Sequence, residues 1–157
     1  LIVLFGAELS FAQQNEETYE FEPDCLNASH RLRILAALHI THVIVQRFVD
    51  GKQPATAGQI SHKIGLPIRF ANEMLHELVQ ADILCPTKGD EEQTPGYLPA
   101  RSTEQLTIAG VIGALERKGS STIPFTRSET VEKLDNSLAA FRDEIESSPA
   151  NAPLHEI

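Results

Sequence analysis

The chain is poor in cysteine: only Cys25 and Cys85 occur, far apart and in no Cys-x-x-Cys arrangement. That pattern argues against a disulfide framework or a zinc ribbon, and two thiols suit a reducing compartment. Basic residues are also scarce, with 13 Lys and Arg against 22 Asp and Glu and a formal net charge of -9. The deficit is uneven. Residues 1–25 carry six acids and no base, 26–119 carry nine acids and ten bases, and 120–157 carry seven acids and three bases. A nearly neutral middle between acidic flanks disfavours adhesion to nucleic acid or to anionic lipid, both of which attract clustered Lys and Arg. There is no Gly-x-Ser-x-Gly turn and no Gly-rich phosphate loop, and the serines cluster in linkers and caps. Asp90, Glu91 and Glu92 sit together on a polar loop rather than converging on a metal. No catalytic residue, cofactor or small-molecule substrate is expected.

What is present begins with "LIVLFGAELSFAQQ", an apolar run broken by Glu8. As a helix it spans roughly 21 Å at about 1.5 Å per residue, short of the roughly 30 Å of a bilayer core. Without a basic leader or a small-x-small cleavage pattern it does not read as a signal peptide. Residues 1–14 are read instead as the end of a transmembrane helix whose beginning lies upstream, with Glu8 close enough to the helix end to snorkel. Residues 15–25 form an acidic linker. With 157 residues, 41% of them apolar, the rest has room for one domain of ordinary size.

That domain is placed at 26–119. Residues 26–49 predict a long helix capped by Asp24, with Ile34, Leu38, Val45 and Phe48 on one face and Ile40, Val43 and Ile44 thickening it. A helix apolar around most of its girth belongs at the centre of a core. Thr56 and Gln59 have capping-box spacing, and they open a short helix that Gly65 ends. A third helix over 68–82 turns Ala71, Met74, Leu75, Leu78 and Val79 inward. Two short helices across a Gly-containing turn make a helix-turn-helix. "ILCPT" and "GYLPA" then read as the strands of a hairpin, and 107–118 as a helix placing Ile108, Val111, Ile112 and Leu115 at i, i+3, i+4 and i+7. The predicted fold is therefore mainly α, a winged helix-turn-helix with a small β-hairpin wing. A linker at 120–127 leads to an amphipathic helix at 128–147. There Val131, Leu134, Leu138, Phe141 and Ile145 form a narrow association seam that the winged helix, a second copy or membrane-domain loops must cover. Residues 148–157 read as a disordered tail.

Gly6, Ala7 and Glu8 after a hydrophobic run resemble the end of the last transmembrane helix of the YihY/virulence factor BrkB family. "LPIRFANEMLHELVQADIL", "GYLPAR" and "LTIAGVIGALE" resemble the cytoplasmic winged-helix extension of its longer members. The resemblance covers about residues 1–119. It implies an inner-membrane protein anchored through the N-terminal helix with this domain in the cytoplasm; the family's ribonuclease label has no support in the residues. The first base beyond the apolar run is Arg31, so the positive-inside rule adds nothing to that orientation. The winged segment also resembles Rrf2-type transcription regulators. Those that sense iron-sulfur clusters use cysteines near the last helix, and no cysteine follows Cys85.

If the third helix read DNA it would lie in the major groove and turn Arg69, Asn72, Glu73, His76, Glu77 and Gln80 outward. Arg69 and Asn72 suit base edges, whereas Glu73 and Glu77 would oppose phosphates, and Lys88 is outnumbered in the wing by Asp90, Glu91 and Glu92. His39 with His42, and Glu73 with His76, each supply only half of a metal site. The reading that follows is a membrane-tethered winged helix serving protein interaction or self-association, with a membrane-bound DNA-binding regulator as the alternative.

Overall fold

The structure, a computed structural model, describes residues 27–89, 94–119, 126 and 128–157. The expected transmembrane end at 1–14, the acidic linker at 15–25, the acidic wing residues 90–92 and nearly all of the 120–127 linker lie outside them. The elements run α1 (His30–Val49), β1 (Ala55–Thr56), α2 (Ala57–Ile64), α3 (Ile68–Gln80), β2 (Leu84–Lys88), β3 (Pro95–Pro99), α4 (Ile108–Glu116) and α5 (Glu129–Ser147).

Helix α1 starts at His30 rather than at residue 26, because the Ser29 hydroxyl accepts the amide of Leu32 at 3.2 Å and supplies the cap assigned to Asp24. Ala36, Ala37, Ile40, Thr41, Val43, Ile44 and Val45 are buried along it, while Phe48, expected to point inward, is half exposed. A helix apolar almost all round carries no clear phase, and its packing partners choose the buried side. The Thr41 hydroxyl is satisfied within the helix, donating to the Ala37 carbonyl at 2.8 Å.

The capping box at the start of α2 is present in both directions between Thr56 and Gln59, and Gly65 ends the helix at φ +67. In α3 the inward set is Phe70, Ala71, Met74, Leu75 and Leu78; Val79, expected among them, is only half buried. Helix α3 stops at Gln80, and Asp82 follows at φ +55. Arg101 secures this left-handed turn, its Nε donating to the Asp82 carbonyl at 2.9 Å. The chain then enters the hairpin, with Leu84 opposite Pro99 and Lys88 opposite Pro95. Strand β1 pairs with the other side of β3, giving an antiparallel sheet of order β1-β3-β2. Pro95 and Pro99 occupy the two ends of the central strand, where missing donors cost the ladder least.

One core joins these parts: Ile40 and Ile44 of α1, Ile60 of α2, Met74, Leu75 and Leu78 of α3, Leu84 of β2 and Val111 of α4 are all almost completely buried. Helix, helix-turn-helix, wing, helix is the expected winged-helix order.

Residues 148–157 correct the sequence reading. They are not a disordered tail: Leu154 is 2% exposed and belongs to the core, and Thr107 and Pro153 form an isolated antiparallel bridge. A short segment of low complexity gives no periodic signal, and its one apolar anchor is too little to predict docking.

Candidate nucleic-acid interface

Because Phe70, Met74 and Leu78 face the core, helical geometry turns Arg69, Asn72, His76 and Gln80 to the opposite side. All four are exposed, and with Glu73 they make one stripe along α3. Gln80 Nε2 lies 2.8 Å from His76 Nε2, a bond in which the amide donates to the ring nitrogen. Arg69, in the first turn, has no carboxylate partner among the described residues. Lys88, at the base of the wing, is likewise exposed.

Glu73 and Glu77 behave differently from the expectation that they oppose phosphates. Arg33 of α1 reaches across, and its Nη2 donates to Glu73 Oε1 at 2.7 Å and to Glu77 Oε1 at 2.5 Å. Lys118, just past α4, lies 3.7 Å from the same Glu77 oxygen. The Arg33 guanidinium also sits 6.0 Å from the centre of the Phe70 ring, at the outer limit of cation–π attraction. Burial works against the Arg33 charge, but the two glutamates outweigh it and hold its pKa above the ordinary arginine value. Two cations thus meet two carboxylates at the α1–α3 edge, and Glu77 is half buried there rather than displayed.

Sequence reasoning missed Arg33. It lies 40 positions before Glu73, on a helix read for its apolar face, and no local pattern marks it. His39, His42 and His76 have separate surroundings. His39 is exposed, His42 Nδ1 donates to the Leu154 carbonyl at 2.8 Å, and His76 bonds Gln80. Among the described residues no three His, Cys, Asp or Glu side chains converge to hold a metal ion.

The expected association seam is displayed on α5, which has no buried residue. Leu134, Leu138, Phe141 and Ile145 are 61%, 62%, 61% and 53% exposed, so the winged helix of the same chain does not cover them.

These parts define a winged helix, and comparison with solved structures agrees. The chain is similar to IscR of T. potens (17% identity, TM-score 0.51, covering 76% of this chain and 80% of that one). It is also similar to CymR, the global cysteine regulator of B. subtilis (16% identity, TM-score 0.54, covering 82% and 93%). No family model and no curated protein matches the sequence. At such identities the likeness shows the fold alone, a winged helix.

It also corrects the leading functional expectation. The structural neighbours are transcription regulators, not YihY/BrkB membrane proteins, and this overturns the reading as an interaction module hung beneath a membrane domain. Among the described residues only α1 is long and apolar enough to cross a membrane by length and composition, and it is the central helix of the core.

Proposed function

We propose that the chain is a DNA-binding transcription regulator that lays α3 in the major groove. The observation that carries this reading is the Arg33 bridge. It pairs Glu73 and Glu77 with a cation of the protein itself, so the exposed stripe offers Arg69, Asn72, His76 and Gln80 beside a Glu73 whose charge is compensated. Arg69 suits the two acceptors of guanine and Asn72 the acceptor and donor of adenine. The winged-helix likeness to regulators supports the same reading.

The seam on α5 supports a pair of protomers. Val131, Leu134, Leu138, Phe141 and Ile145 follow the a and d positions of a heptad, which puts Asp135 and Arg142 both at e. Antiparallel packing of two such helices brings Asp135 of each near Arg142 of the other, twice by symmetry. Parallel packing gives no such match, since Thr130 and Ser137 at g carry no charge. A two-fold pair presents two copies of α3 to a two-fold symmetric site.

The test is selection of duplexes from a randomised pool, followed by gel shift over a salt series. Enrichment of an inverted-repeat site is the expected result. With few exposed cations the salt slope is expected to be shallow, since each phosphate contact adds only about 0.9 to it. A pool that yields no enriched sequence overturns the reading.

A further inference from the structure

The segment after α5 lies in a groove between α1 and residues 103–109, and it is held there the way a bound peptide is held. The Leu154 amide donates to the Leu106 carbonyl at 2.9 Å, and the Ile108 amide donates to the Ala152 carbonyl at 3.2 Å. From α1, His42 Nδ1 donates to the Leu154 carbonyl at 2.8 Å, and Gln46 Nε2 donates to the His155 carbonyl at 2.9 Å. His42 and Gln46 stand four apart on the helix, so they share a face and reach successive peptide units. Side chains add two specific features. Leu154 fills a place in the core, and Asn151 Oδ1 accepts the amide of Ala109 at 2.8 Å. A short segment caught by main-chain bonds about one antiparallel bridge, Thr107 to Pro153, with a pocket for one side chain, follows the physics of peptide recognition.

The contacts have a purpose for the helices on either side. Ile108, Ala109 and Gly110 open α4, where amides lack intrahelical partners. Gly110 is capped by Thr107 at 3.0 Å, and the tail serves the other two. At the other end Asn151 Nδ2 donates to the Glu146 carbonyl at 2.9 Å, in the last turn of α5. Since α5 buries no residue of its own, this junction fixes the C-terminal end of α5 to the winged helix.

We propose that the groove is a peptide-binding site whose ligand is an Asn-x-x-Leu segment that turns at its leucine, the Glu156 amide donating to the Pro153 carbonyl at 3.0 Å, and that it is occupied by the chain's own residues 151–155 as a separable clasp on α5. Only one side chain of that segment is fully buried, so its release exposes far less apolar surface than unfolding the core. This inference does not depend on DNA binding.

Native-state hydrogen exchange on the full chain tests it, with a synthetic peptide of residues 148–157 as the probe. The amides of Ile108 and Ala109 are expected to be protected, yet to exchange roughly ten-fold or more faster than those of Ile44 and Leu75. Leu154→Asp puts a charge where the core needs an apolar group, so the tethered tail leaves and Ile108 and Ala109 lose protection. Peptide at about 1 mM, comparable to the effective concentration of a short tether, is expected to restore that protection. Peptide carrying Leu154→Ala is expected not to. If Leu154→Asp does not fold, Gln46→Ala with Asn151→Ala opens the groove for the same titration. Three results overturn the proposal: free exchange at Ile108 and Ala109 in the wild type, exchange there only with the whole core, or no response of the opened groove to peptide.

Discussion

Asn151 Oδ1 accepts the amide hydrogen of Ala109 at 2.8 Å, so a residue beyond the last helix caps the first turn of the helix before it. Asn151→Ala removes that cap together with the bond to Glu146, and a loss of about 1–2 kcal/mol is expected. Asn151→Asp keeps the acceptor and adds favourable negative charge at the α4 N-terminus while losing only the Nδ2 donor. Thermal melts should therefore order the variants wild type, Asp, Ala.

Leu75 and Leu78 are completely buried between α3 and the rest of the core. Leu75→Ala or Leu78→Ala is expected to cost about 2–5 kcal/mol, read from denaturant midpoints at unchanged slope. An unchanged midpoint would contradict the helical phase on which the exposed stripe depends.

Arg33→Gln leaves Glu73 and Glu77 with Lys118 as their remaining cation. The pairs are partly exposed, so the stability change should stay near or below about 1 kcal/mol. Affinity for a selected duplex should fall more visibly, by roughly five-fold, because two carboxylates then face the phosphates. Adding Glu73→Gln and Glu77→Gln should restore it. Gel shifts of the single and triple variants against wild type check this, and a triple variant as weak as the single one would contradict it.

Phe141→Asp places a charge in the exposed seam of α5, where neither Phe141 nor its helix is buried. Melting temperature should change little at low protein concentration. Sedimentation should shift from dimer to monomer, and binding to an inverted-repeat duplex should drop with it. A variant that stays dimeric would place the interface elsewhere.

Burial pushes the Tyr97 phenol up from its ordinary value. The folded state then holds this proton more tightly than the unfolded chain does. The resulting stabilisation is whole below the unfolded value of about 10 and is lost as pH rises through the higher folded one. Comparing Tyr97→Phe with wild type between pH 9 and 12 by denaturant titration isolates that slope.

Features written locally were legible in the sequence. Thr56, Gln59 and Gly65 announced both ends of α2, and the spacing of Ala71, Met74, Leu75 and Leu78 placed the α3 stripe on its correct side. Features made by distant residues were not. Arg33 reaches Glu73 only because α1 and α3 cross, and Leu154 finds its pocket only once α1 and α4 are in place. The functional error has the same origin: helix phase set Glu73 and Glu77 where they would oppose phosphates, and nothing local announced that Arg33 pairs with both. The opening apolar run drew attention to a membrane, while the comparable solved structures are regulators.

His42 and Leu154 are separated by 112 positions. A ribosome making this chain therefore releases a winged helix whose fourth helix begins with two amides awaiting partners still inside the exit tunnel. The emergence of residues 151–154, rather than the completion of α2 and α3, determines when this domain is finished.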